Sequence, residues 1–217
     1  MEIKFISDIE LDASNWQKSL QASSYGIKWS DFLPKDISIE EARDSKYLKE
    51  YLKKKYYNSG KIEEFKNWLK DNLNKESTVN DLESLMGKRF DINSIDIRIT
   101  TFPRAPYNYK NGWFFVIFKN SKREIIISEI YHEMMHILFH EHYWAECESL
   151  GLNDSQISNL KESLTVVLNP ILENRDLPLD EGYPKHREVR EKIMKIWKEK
   201  NWKFEDFLKN ILKQKIV

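Results

Sequence analysis

Apolar positions along this chain recur first at helical spacing, then at strand spacing, then at helical spacing again. Met1 to Ile6 alternates weakly and reads as a short strand, followed by a helix from Leu11 to about Ser24. Ser38-Ile39-Glu40-Glu41 pairs a serine cap with acidic residues in the first turn, opening a charged amphipathic helix to about Tyr57 that Asn58-Ser59-Gly60 ends. Lys61 to Leu73 carries Ile62, Phe65, Trp68 and Leu69 on one face, and Val79 to Met86 forms another helix stopped by Gly87. The period then falls to two in Ile95-Asp96-Ile97-Arg98-Ile99, and Trp113 to Phe118 is a continuous aromatic and β-branched run, which makes two strands. Ile125 to Cys147 has no Gly or Pro and is apolar on nearly every side, the pattern of a buried helix. After Gly151 come helices near Asp154 to Leu172, Pro184 to Lys200 and Phe204 to Ile216. The expectation is an α+β fold, rich in helix with a small sheet. Residues 1–90 form an N-terminal helical region that packs on or covers a core made by residues 91–217, the whole being one compact unit.

Chemistry concentrates inside the buried helix, at His132-Glu133-Met134-Met135-His136. At about 3.6 residues per turn, two histidines four apart stand one above the other on one face, so both imidazoles reach a single ion. Three polar side chains in an apolar helix are costly unless they share a ligand. Zinc is the expected ion. Glu133 sits about 100° round the helix from His132, placed to take a proton from an attacking water rather than to ligate.

Such a site needs a third protein ligand and an open position. His142 has the spacing of the metzincin pattern HExxHxxGxxH, but Phe139 stands where that pattern has the glycine that turns the chain. His140 lies on the ligand face one turn further, too far along one straight helix for all three histidines to share an ion. Glu162, 26 residues after His136, is a lone glutamate among Leu160, Leu164, Val167, Leu168 and Ile171. A second helix after the Gly151 turn would return it to the histidines, and it is the expected ligand, with Glu146, Glu148 and His142 as rivals.

The stretch from His132 to about Asn169 resembles the gluzincins, thermolysin-like zincins in which HExxH on one helix is completed by a glutamate on the next. The resemblance implies a compact zincin-like fold, with a sheet over the active-site and glutamate helices. It assigns His132, His136 and Glu162 as metal ligands and Glu133 as general base. Thermolysin-like enzymes place an acidic residue four after the glutamate to orient a histidine; here that position is Val166, so orientation must come from elsewhere. Gluzincins also use a downstream His or Tyr to stabilise the oxyanion, for which Tyr183 and His186 in GYPKHREVR are the candidates.

Composition narrows the partners. Thirty-five basic residues balance thirty-five acidic ones, leaving no overall field to attract nucleic acid or an anionic membrane, and Lys53-Lys54-Lys55 reads as a solvated helix face. Cys147 is the only cysteine, so no intramolecular disulfide is available and nothing calls for an oxidising compartment. No run of about 20 apolar residues exists to span a bilayer, and the first residues lack the basic start and apolar core of a signal peptide. The expectation is a cytoplasmic zinc metallopeptidase acting on peptide or protein, with the strand at Trp113 to Phe118 offering an edge for an extended substrate. A catalytically silent zincin-fold protein with a binding or regulatory role is the alternative, suggested by the histidine-rich continuation His140-Glu141-His142.

Overall fold

In the computed structural model, which describes residues 1–24, 27–119, 121–214 and 216, the chain divides into two units that interleave along the sequence. One consists of Glu2–Leu73 with Ser94–Arg123, and the other of Asn74–Asn93 with Glu124–Val217. The first holds β1 (Glu2–Ile6), α1 (Ile9–Leu20), the paired β2 (Ser23–Ser24) and β3 (Ile27–Lys28), α2 (Ile39–Arg43), α3 (Ser45–Leu52), α4 (Lys61–Asn72), β4 (Ser94–Thr100), β5 (Tyr107–Asn108) and β6 (Trp113–Ile117). Four strands make one mixed sheet in the order β1-β4-β6-β5, with β1, β4 and β6 parallel and β5 antiparallel to β6. Its register sets Phe5 beside Ile97 beside Phe114, Ile3 beside Ile95, and Ile99 beside Val116. All seven are buried, because the period of two sends these side chains to a single face. On the other face Arg98 lies over the Trp113 ring, 4.4 Å from its centroid. β6 is paired by β4 on one side and, at Trp113 and Phe114, by β5 on the other, so the edge expected for strand addition is already covered there.

Local capping explains where the helices differ from expectation. The Asp8 side chain accepts from the backbone N–H groups of Glu10 and Leu11, so α1 starts before Leu11, and it stops at Leu20 rather than near Ser24. Ser38 and Glu41 form the expected capping box, but the helix it opens breaks at Asp44, whose side chain accepts from Tyr47 N at 2.8 Å and caps α3 instead. Beneath α1, Asp12 is fully buried and accepts from Thr100 Oγ1 at 2.7 Å, Thr101 Oγ1 at 2.8 Å, Thr101 N at 3.0 Å and Tyr57 O–H at 3.3 Å. Burial pushes the carboxyl up even against these four donors. Asp12→Ala strands them in the interior and is expected to cost about 3 kcal/mol or more, read as a shift in urea midpoint; an unchanged midpoint would show that α1 is held by its apolar contacts alone.

The second unit is helical, with α5 (Lys75–Met86), α6 (Glu124–His142), α7 (Trp144–Ser149), α8 (Asp154–Leu164), α9 (Asn169–Asn174), α10 (Arg187–Trp197) and α11 (Phe204–Lys213). α6 is buried around most of its circumference, from Ile126 to Phe139. Rather than continuing to Cys147, it ends at Tyr143, whose hydroxyl donates to the Met86 carbonyl at 2.5 Å. Gly151, at φ +90°, makes the turn into α8, which opens on a capping box between Asn153 and Gln156. The helix expected from Asp154 to Leu172 is interrupted by a tight 3₁₀ turn at Thr165–Leu168, because Pro170 has no N–H to continue the ladder. α11 stops at Lys213, and Lys215 within the expected helix lies outside the described residues. Among the described residues no helix is long and apolar enough to cross a membrane. The architecture is α+β, helix-rich with one small mixed sheet.

Candidate metal centre

The four-residue spacing on α6 stacks the His132 and His136 rings with their centroids 4.3 Å apart. α8 brings Glu162 against both: His132 Nε2 lies 3.4 Å from Glu162 Oε2, and His136 Nε2 lies 3.3 Å from Glu162 Oε1. Bonds of about 2.0–2.1 Å to one tetrahedral ion would set its ligand atoms about 3.3–3.4 Å apart, and each imidazole already stands at that separation from one of the two Glu162 oxygens. The three residues form a group that could hold a metal ion, and no other such group occurs among the described residues.

The rival ligands point elsewhere. His142 Nε2 meets the Arg89 carbonyl at 2.7 Å, His140 stacks on Trp144, Glu146 reaches Lys209 at 3.6 Å, and Glu148 accepts from Trp144 Nε1 at 3.0 Å. α6 ends before Tyr143, and Glu146 and Glu148, on the separate helix α7, do not belong to the group that His132 and His136 form with Glu162.

Orientation of His132 comes from Asp180, a residue that spacing along α8 could not reveal. His132 Nδ1 lies 3.1 Å from Asp180 Oδ2. Burial would raise the Asp180 carboxyl, but the His132 contact and the Arg190 charge outweigh it and hold it below the usual carboxylate range. An ionised carboxylate can only accept, so Nδ1 carries a proton; Nε2, directed at Glu162, is the nitrogen whose proton a metal ion would have to displace. Asp180 is itself held from several sides. Its N–H donates to Asn169 Oδ1 at 2.9 Å, its Oδ1 accepts from Gly182 N at 3.1 Å, and its carbonyl accepts from the buried Arg190 guanidinium. Arg190 also donates to the Glu162 carbonyl at 3.1 Å and to Thr165 Oγ1 at 2.7 Å, tying the aspartate loop to the end of α8. Gly182 adopts φ +63°, and a Cβ there would stand 2.7 Å from the guanidinium carbon, so any other residue would strain the backbone and press on Arg190. Asp180→Asn is expected to weaken metal binding about 10- to 100-fold with little change in fold, measured by competition with a chromophoric chelator; unchanged affinity would show that His132 needs no such partner.

Charge in the cluster is divided. Burial would depress His132, yet the carboxylates of Asp180 and Glu162 push it up to about 10. Glu162 is held below the usual carboxylate range, since the two imidazoles and Lys161 outweigh the opposing effect of burial. Glu133 behaves oppositely: burial pushes it up to about 7, and its Oε2 is buried with no hydrogen-bond partner among the described residues.

Lys161, which the sequence reading did not single out, is 3 % exposed and donates from Nζ to Glu162 Oε1 at 2.7 Å. Its helical line with Ile157 and Leu164, at i, i+4 and i+7, was the signal of its burial. Tyr183 and His186 lie outside the ligand group. Tyr183 is 43 % exposed, its ring centroid 6.2 Å from that of the buried His186. Ser163 O–H donates to the Asn159 carbonyl at 2.8 Å, so the 3.3 Å contact between Ser163 Oγ and His186 Nδ1 takes its hydrogen from the imidazole. The His186 Nε2 lone pair is left buried, without a hydrogen-bond partner among the described residues.

Compared with known proteins, this chain matches no family model, no curated protein and no solved structure.

Proposed function

We propose that the chain is a zinc metallopeptidase of gluzincin-like design, hydrolysing peptide bonds in a peptide or protein substrate. The observation that carries this reading is the adjacency of two kinds of group: ligand atoms of His132, His136 and Glu162 within 4.8 Å of one another, and close to them in sequence a buried carboxylate oxygen, Glu133 Oε2, with no hydrogen-bond partner among the described residues. Two imidazole nitrogens and one carboxylate oxygen are a donor set that zinc accepts while keeping one position open. When bound, the ion lowers the pKa of its water toward about 7 and polarises a carbonyl.

The residues divide the remaining work. Asp180 fixes the His132 tautomer, and Arg190 fixes Asp180. Glu133 accepts the proton of the attacking water and returns it to the leaving amine, a role suited to a carboxylate near pH 7. For the developing oxyanion, Tyr183 O–H is a donor, whereas His186 as hydrogen-bonded here presents an acceptor and would first have to take up a proton.

The test is to purify the chain, measure zinc per chain, and assay an unfolded protein substrate with and without chelator. One zinc per chain and cleavage that chelator stops and zinc restores are expected. Zinc without cleavage of a broad peptide library would replace the reading with a catalytically silent metal-binding protein of the same scaffold.

A further inference from the structure

A metal site ordinarily keeps other cations away, yet Lys161 stands inside this one. Long lysine side chains usually carry their ammonium out to water, whereas this one follows the buried line of Ile157 and Leu164 inward and is 3 % exposed. Its Nζ lies 2.7 Å from Glu162 Oε1, the oxygen that also faces His136 Nε2 at 3.3 Å. The carboxylate that would complete the metal site is therefore already engaged by a positive charge borne by the neighbouring residue.

Resting on the metal-site reading above, we infer that Lys161 is a built-in counter-cation that competes with the metal ion for the Glu162 carboxylate and so makes metal occupancy reversible. Two consequences follow from Coulomb's law in a water-poor setting. A divalent ion bound at His132, His136 and Glu162 is repelled by the ammonium a few ångströms away, which weakens its hold. Without the ion, the ammonium keeps a buried carboxylate paired, so the metal-free protein stays folded and ready to reload. Lys161 is thus a positioning residue for the charge of the centre, acting through Glu162.

The experiment is a zinc titration against a chromophoric chelator on the wild-type chain, Lys161→Met and Lys161→Arg, with thermal unfolding of each in zinc and in chelator. Lys161→Met, which keeps the length and loses the charge, is expected to bind zinc at least about tenfold tighter, to be less stable than wild type in chelator, and to gain more from zinc. Lys161→Arg, which keeps the charge, should stay within about threefold of wild type. Equal or weaker binding by Lys161→Met overturns the inference. If Lys161→Met folds only with zinc present, the counter-cation role is supported. If neither Lys161→Met nor Lys161→Gln folds even with zinc, the lysine is a structural residue and the inference fails. Zinc binding tightened by Lys161→Met in a protein with no hydrolytic activity would sink the peptidase reading alone; zinc binding that Lys161→Met leaves unaltered, in an active enzyme, would sink only this one.

Discussion

Glu162→Ala is expected to fail in two separable ways. It removes one of the three residues that could hold a metal ion, so the purified chain should no longer hold stoichiometric zinc in competition with a chelator. It also takes the carboxylate away from the buried Lys161 ammonium, and breaking a buried ion pair from one side costs about 3–5 kcal/mol, so the urea midpoint should fall as well. Adding Lys161→Met to Glu162→Ala removes the other half of the buried pair, and the double variant should recover much of the stability while still lacking zinc. Stoichiometric zinc in Glu162→Ala would move the third ligand to Glu146, Glu148 or His142, and would require those side chains to leave the partners they hold in the structure. Failure of the double variant to regain stability would mean that Glu162 contributes through packing rather than charge.

Glu133→Gln should separate metal from turnover. The amide is the same size, does not belong to the ligand group, and cannot take a proton, so zinc content should be unchanged while kcat falls about 10²- to 10⁴-fold. The wild-type pH profile carries the complementary signature. Glu133 must be ionised to act as a base, and in the metal-free chain burial puts it at about 7. A divalent ion beside it favours the ionised form, so the acid limb of kcat should fall below that value. A variant with full activity would remove Glu133 from the mechanism; an acid limb well above pH 7 would mean that a different group limits the reaction.

The sequence carried the centre of the site because helical geometry acts over short spans. Four residues between His132 and His136 decide their common face without reference to anything else in the chain, and Glu162 was conspicuous as a lone acid in an apolar stretch. Asp180 was hidden for the opposite reason. It stands in an irregular loop, placed by an arginine ten residues later and by a glycine that clears the guanidinium, and no periodicity connects these to His132. Val166, where the expected acid was missing, already showed that the orienting group had to come from elsewhere, without saying where. Helix existence was similarly legible from apolar spacing, while helix ends were decided by single events: the Asp44 side chain recapping α3, Tyr143 bonding the Met86 carbonyl, Pro170 interrupting the ladder. The inner face of the sheet followed from the alternation at Ile95 to Ile99, but the coverage of β6 by the two-residue β5 lies in a loop whose residues have no strand pattern of their own.

The interleaving of the two units bears on how the chain can be cut. Each unit takes residues from both sides of a segment of the other, so no single contiguous piece contains either one whole without also taking part of the other. A fragment beginning near residue 91 would keep His132, His136 and Glu162 and still lack α5, which supplies Asp81 to the Tyr131 hydroxyl and to Arg175, and the Met86 carbonyl to Tyr143. The same fragment would keep β4 without β1, exposing along its open edge the backbone groups that β1 now pairs. A protease that nicks between residues 93 and 94 severs no residue of the candidate site, yet parts α5, whose Asp81 and Met86 bond Tyr131 and Tyr143, from the segment that carries His132, His136 and Glu162.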